Sequence, residues 1–102
     1  MEEKLYKQTG IQQKVINEII ELAKKNQVEK VILFGSRARG DYKTRSDIDL
    51  AFQGGNSSCF ILDVDEETST LLEFDVIDLE KPIQKELLES INREGVLLYE
   101  KV

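Results

Sequence analysis

The sequence predicts a small α/β domain, a mixed sheet of three to four strands packed with helices, and three observations carry that prediction. Apolar residues recur at helical spacing near both ends of the chain, over about residues 10–26 and 82–94. Between them stands a continuous apolar run, Val31-Ile32-Leu33-Phe34, suited to a strand buried on both faces. The third observation is strict alternation over Asp47-Ile48-Asp49-Leu50-Ala51-Phe52, the signature of a strand with one apolar face.

The first helix is expected from Thr9-x-x-Gln12, the form of a capping box, with Ile11, Val15, Ile19, Leu22 and Ala23 as its stripe. Asn26-Gln27 ends it. Val31–Phe34 is partly β-branched and too short for a helix, and Gly35 stops it. In the next strand Ile48, Leu50 and Phe52 share one face, Asp47, Asp49 and Ala51 the other, and Gly54-Gly55-Asn56 breaks it. Residues 57–67 predict a short helix with Phe60, Ile61 and Val64 as its stripe. Leu71 to Leu79 predicts a third strand, with Glu73, Asp75 and Ile77 on one face and Leu72, Phe74 and Val76 on the other. Pro82 opens a second long helix with Ile83, Leu87, Leu88 and Ile91 inward, Gly95 caps it, and Val96–Tyr99 adds a short final strand.

With 102 residues, one domain over 1–102 is expected, able to bury one core and with little room for a separate acceptor domain. Apolar residues at 40% and charged residues at 33% are ordinary for a soluble protein, and no apolar run approaches a membrane span. The acidic, h-region-free start and the lone Cys59, read as a buried or idle thiol, point to a reducing cytoplasm. A net charge of -6 argues against general nucleic-acid binding. Yet residues 1–46 hold ten Lys/Arg against six Asp/Glu, and residues 47–102 four against fourteen. A basic segment with Arg37, Arg39, Lys43 and Arg45 thus runs into a carboxylate cluster, an order suited to phosphates on one side and metal ions on the other. A solvated dipolar surface is the plainer reading of charge alone.

Three apparent motifs fail. Gly35 and Gly40 have Walker A spacing, but Asp41-Tyr42 replaces its Lys-Ser/Thr pair. Arg39-Gly40-Asp41 spells an adhesion tripeptide in a chain without an export signal. Residues 63–74 start like an EF-hand, but Thr68 replaces the turn glycine and Phe74 the bidentate Glu. What survives is Gly35-Ser36 after a buried strand, where the backbone turns tightly and a phosphate can approach without a Cβ in the way. Asp47 and Asp49, two apart on a strand, project from one face and together oppose each other's ionisation unless a cation joins them. Asp75 sits in an apolar run, where a charge is costly unless paired or metal-bound. Asp78 competes with it but lies on the opposite face near the strand end, as a turn residue would.

Gly35-Ser36, ten residues, Asp47-x-Asp49 and a later strand Asp75 resemble the nucleotidyltransferase signature of the polymerase-β superfamily. The short length, GSRARGDYKTRSDIDLA and the C-terminal EGVLLYE are similar to the minimal nucleotidyltransferases in particular. The resemblance covers about residues 28–100 and is weakest over 54–70. It implies that Asp47 and Asp49 bind two Mg²⁺ ions, one carrying the triphosphate of ATP. Asp75 would help hold the second metal and take or orient the proton of the attacking hydroxyl. It also implies that Gly35 and Ser36 cradle the β and γ phosphates, with Arg37 or Arg39 donating to them. Lys43 and Arg45 have no assigned part.

Members encoded beside a HEPN ribonuclease toxin resemble antitoxins that transfer AMP to a toxin tyrosine. The expectation is therefore a Mg²⁺-dependent adenylyltransferase in a heteromeric complex with a HEPN-domain protein. Two alternatives stand: a binding module that neutralises its partner by occlusion, and an enzyme for a small-molecule hydroxyl.

Overall fold

The computed structural model describes residues 8–102; the first seven residues, part of the acidic start read above, lie outside the described residues. Helix α1 (Gln13–Lys25) buries Val15, Ile16, Ile19, Leu22 and Ala23, the face set by the 3.6-residue period. It starts later than expected because the capping box does not form. Gln12 is the N-cap without a side-chain bond, and Thr9 Oγ1 instead accepts from the Ile11 N–H at 3.1 Å, closing its own turn.

Strand β1 (Lys30–Phe34) leads to a one-turn helix, α2 (Ser36–Arg39), and then β2 (Ile48–Gln53), α3 (Ser57–Glu67), β3 (Phe74–Asp78), α4 (Lys85–Glu94) and β4 (Val96–Glu100) follow. The sheet order is β3-β2-β1-β4. β1 runs antiparallel to both β2 and β4, and β2 and β3 are parallel, joined by α3. The sheet is mixed and four-stranded, as the sequence predicts.

The central position of β1 explains its unbroken apolar run. Val31 and Leu33 enter the larger core with α1, Phe60 and Val64 of α3, and Ile48, Leu50 and Phe52 of β2. Ile32 and Phe34 enter a smaller core on the other face, with Ala51, Ile77, Leu79, Leu87 and Ile91. The Phe52 and Phe60 rings meet at 5.0 Å between centroids, tilted by 59°, pinning α3 to the sheet. Ile61, expected in the α3 stripe, is instead exposed, since α3 rests on the sheet through Phe60 and Val64 alone. Cys59, on the same helix, is exposed rather than buried.

The third strand is shorter than Leu71 to Leu79, and helix α4 begins after Pro82 rather than at it. Asp78 makes a turn, its Oδ1 accepting from the Glu80 N–H at 2.9 Å and its carbonyl from Lys81 at 3.2 Å. An extended step through Pro82 to Gln84 then carries the chain under the sheet. Of the predicted α4 stripe, Leu88 stays exposed. Gly95 ends α4 without left-handed backbone (φ -64°, ψ 143°), its N–H bonding the Ile91 carbonyl. Its missing side chain serves close packing: a Cβ there would stand 2.5 Å from Ile32 Cγ2.

Candidate active site

The site is built where β1 ends and β2 and β3 begin. Gly35 leaves β1 at φ 77°, ψ -159°, a region essentially reserved for glycine, and its carbonyl accepts the N–H groups of Ala38 and Arg39 to start α2. Because β1 and β2 are antiparallel, Phe34 pairs with Asp49, so the turn lands against that aspartate. A Cβ on Gly35 would collide with Asp49 Oδ2. Glycine is needed there for conformation and for the carboxylate.

Parallel pairing of β2 with β3 sets Asp49 opposite Asp75, on the sheet face shared with Ala51 and Ile77. Leu87 and Ile91 of α4 cover the Ala51 end of that face. Asp49 is half-buried, while Asp47, one residue before β2, is exposed. Burial first, then the charges of Asp75 and Asp47, push the Asp49 carboxyl up to about 6, with Arg39 opposing them. The three aspartates thus converge electrostatically at one corner. Asp75 corrects one expectation: it is exposed, because β3 is an edge strand, so its charge carries no burial cost. Asp78 is a turn residue, as its position suggested.

Among the described residues no three His, Cys, Asp or Glu side chains are already gathered tightly enough to hold a metal ion. The donor chemistry nevertheless fits a hard divalent cation: carboxylate oxygens only, from strand starts, with Asp49 raised by its burial and then by the charges of Asp75 and Asp47. Gly35 leaves the room that Asp49 uses.

The two arginines of α2 part company. Arg37 is 1% exposed, and it donates Nε to the Ser46 carbonyl at 2.9 Å, Nη1 to Thr9 at 3.0 Å and Nη2 to Thr44 at 3.1 Å, with Lys43 at 3.5 Å. Its guanidinium also lies 4.8 Å from the Tyr42 ring centroid. The resemblance offered Arg37 or Arg39 to phosphate; the Arg37 donors are spent on main-chain carbonyls, where they shape the loop that delivers Asp47. Arg39 is exposed and bridges Asp41 Oδ2 (3.2 Å) and Glu94 Oε1 (3.1 Å). Neither Tyr42 nor Glu94 was singled out in the sequence, and only the aromatic beside the arginine run offered any signal.

A cleft of about 700 Å³ opens on the other side of Asp47. Ile11, Val15 and Leu72 give it apolar wall, and Arg45, Asp47 and Glu73 give it charge. Gly35, Ser36, Arg39 and Asp49 do not line it, so Asp47 divides two regions of different character. Lys43 lines neither of them, and only its backbone takes part, in the Arg37 loop.

The sequence profile of the family described as "Polymerase beta, Nucleotidyltransferase" matches residues 17–102. This chain belongs to the polymerase-β nucleotidyltransferase family. The nucleotidyltransferase is 33% identical over 100 residues to a Methanocaldococcus jannaschii protein named a protein adenylyltransferase, a match covering 86% of this chain and 98% of the relative. Among solved structures it is similar to a Sulfolobus solfataricus chain named a nucleotidyltransferase, at 26% identity and TM-score 0.56, over 97% of this chain and 86% of that one. The fold is also shared with a chain in the crystal structure of a toxin-antitoxin with AMP-PNP (TM-score 0.67, 23% identity, 84% and 73% covered). The nucleotidyltransferase thus has the fold that the Gly-Ser and Asp-x-Asp spacing implied. Among its described residues no helix is long and apolar enough to cross a membrane.

Proposed function

We propose that this nucleotidyltransferase transfers AMP from ATP to a hydroxyl of an acceptor protein, a tyrosine of a HEPN-type ribonuclease toxin, and so acts as its antitoxin. The observation that carries this reading is the placing of Asp49 opposite Asp75 and two residues from Asp47, beside a glycine turn, with Asp49 raised by burial and by both neighbours. The adenylyltransferase name of the M. jannaschii relative supports the chemistry. The toxin-antitoxin neighbours, one of them named MntA-HpeT, suggest the setting.

Asp47 and Asp49 would hold Mg²⁺, with Asp75 on a second ion. Bound there, the metal supplies charge neutralisation around the α-phosphate and the departing pyrophosphate. Gly35 and Ser36 cradle the β and γ phosphates, Gly35 by keeping Cβ bulk out of the corner, and Arg39 adds a charge-assisted donor. Asp75, exposed at the sheet edge, can accept the acceptor's proton and pass it to water. The acceptor oxygen forms its bond to Pα as the bond from Pα to the bridging oxygen breaks, and pyrophosphate leaves with that electron pair. Arg37 acts at one remove, by fixing the loop before Asp47.

The test is intact-mass spectrometry of the HEPN-domain partner after incubation with this protein, ATP and Mg²⁺, beside an Asp47→Asn/Asp49→Asn variant. Whole AMP units gained with the wild-type protein alone are expected. Partner neutralised by both proteins without a mass gain would replace the enzyme by an occluding binder.

A further inference from the structure

Glu94 ends helix α4, 55 positions from Arg39 in sequence, yet its Oε1 accepts from Arg39 Nη1 at 3.1 Å. Asp41 Oδ2 takes the Nε of the same guanidinium at 3.2 Å. The Glu94 side chain is only 20% exposed against 41% for Arg39, and its second oxygen lies 3.7 Å from Arg93 Nη2. Glu94 is thus the anchored member and Arg39 the reaching one. Ion pairs at such a surface contribute little to stability, so stability alone does not account for a carboxylate brought from α4 to α2.

Position is a better account. Two edges of the Arg39 fork are fixed by two carboxylates, and among the described residues Nη2 remains unspent. Geometry puts the pair beside the Gly35 and Asp49 corner: the Arg39 N–H bonds the Gly35 carbonyl at 3.1 Å, and Glu94 stands three residues beyond Ile91, which packs with Phe34 and Ala51 on the sheet face that carries Asp49. A long arginine side chain would otherwise lose rotamer freedom each time it met a ligand, and a side chain fixed beforehand does not.

We propose that Glu94 is a positioning residue, holding the Arg39 guanidinium at the Gly35 and Asp49 corner so that the polyphosphate of a nucleoside triphosphate meets a preset donor. The proposal rests on the reading of Arg39 as a phosphate contact. It makes the end of α4 part of the nucleotide site, although α4 contributes no residue to the aspartate set.

The experiment is calorimetric titration with α,β-methylene-ATP and Mg²⁺, an analogue that cannot be cleaved at the transferred bond. It compares wild type, Arg39→Ala, Glu94→Ala, Glu94→Gln and the Arg39→Ala/Glu94→Ala double variant, together with KM and kcat for ATP. Expected are affinities weaker by roughly 5–10-fold in both alanine variants and an intermediate loss in Glu94→Gln, which keeps the acceptor without the charge. The double variant should be no weaker than Arg39→Ala, because Glu94 acts through that residue. KM for ATP should rise in both alanine variants in step with the lost affinity for the analogue. Glu94→Ala and Glu94→Gln binding like wild type while Arg39→Ala binds weakly would overturn the positioning role and leave the phosphate contact standing. Losses that multiply in the double variant would overturn it as well, since Glu94 would then act on its own. An Arg39→Ala variant that binds like wild type would sink both the contact and the positioning role, and a wild-type protein that binds no analogue would remove the nucleotide reading itself.

Discussion

Gly35 and Asp49 share one corner so closely that a Cβ on the glycine would overlap the aspartate's Oδ2. The backbone at φ 77°, ψ -159° is closed to alanine on its own account. Gly35→Ala must therefore both strain the turn and push the carboxylate out of place. The expected result is a loss of transferase activity of about 100-fold or more, the scale of a misplaced catalytic group. Stability should fall by roughly 2–3 kcal/mol, the scale of strain at a special backbone angle. Urea unfolding and a mass-based transfer assay on the same preparation check both.

Asp49 makes stability depend on pH in an unusual direction. Its carboxyl titrates near 6 in the folded chain against a reference of 3.8, so between those values the native state holds the extra proton. Stability from this group is present below about pH 4 and is lost as pH rises through 6. Asp49→Asn removes the loss. The variant should be more stable than wild type at pH 7.5, by on the order of 1 kcal/mol once solvent screening of a half-buried group is allowed for, and equal to it near pH 4. Unfolding curves at the two pH values decide it; an Asn variant less stable at pH 7.5 would contradict the cost of burying this charge beside Asp75 and Asp47. By the same linkage, Mg²⁺ should bind more weakly below pH 6, where a proton competes for Asp49.

Arg37 carries the fourth expectation. Replacing it by Met keeps an unbranched apolar stem but removes the guanidinium that donates to the carbonyls of Thr9, Thr44 and Ser46. The cost should be about 3 kcal/mol, that of buried polar groups stripped of a charged partner. Arg37→Lys should recover only part, because one ammonium cannot reproduce a planar fork that serves three carbonyls. Equilibrium denaturation of the two variants gives the ordering directly.

How much of this was legible in the sequence depends on whether a feature is local. Asp47 and Asp49 were found because a strand's period of two puts them on one face, and Asp75 because a charge inside an apolar run is costly unless paired or metal-bound. The burial of Asp75 was misjudged, since an apolar neighbourhood in sequence does not reveal that β3 is an edge strand. Gly35 was legible as a turn, but its approach to Asp49 depends on antiparallel register, which no spacing states. Arg37 and Arg39 look equivalent in SRAR, and only the fold turns one inward to main-chain carbonyls and the other toward Glu94. The late starts of α1 and α4 have a similar cause. Thr9 and Asp78 spend their side chains on local turns that compete with the helix signals beside them.

Glu18 and Ser69 supply the last test, at the rim of the cleft beside Asp47. From α1, Glu18 accepts the Ser69 N–H at 2.8 Å and its hydroxyl at 2.6 Å, and these bonds hold the Glu18 carboxyl below its ordinary range. The segment they anchor runs through Thr70, whose Oγ1 accepts from the Leu72 N–H at 3.1 Å, and carries Leu71 fully exposed. A loop tied at Ser69 by one carboxylate and exposed at Leu71 should open locally without unfolding the sheet. Glu18→Ala should therefore speed amide hydrogen exchange at Ser69 by roughly tenfold while changing global stability by less than about 1 kcal/mol. Because a depressed carboxylate pKa means stabilisation that is present above the reference value and lost on acidification, wild type should lose the same protection only below about pH 4.5. Unchanged exchange at Ser69 in the variant would show that the loop is held by packing against α1 rather than by this carboxylate.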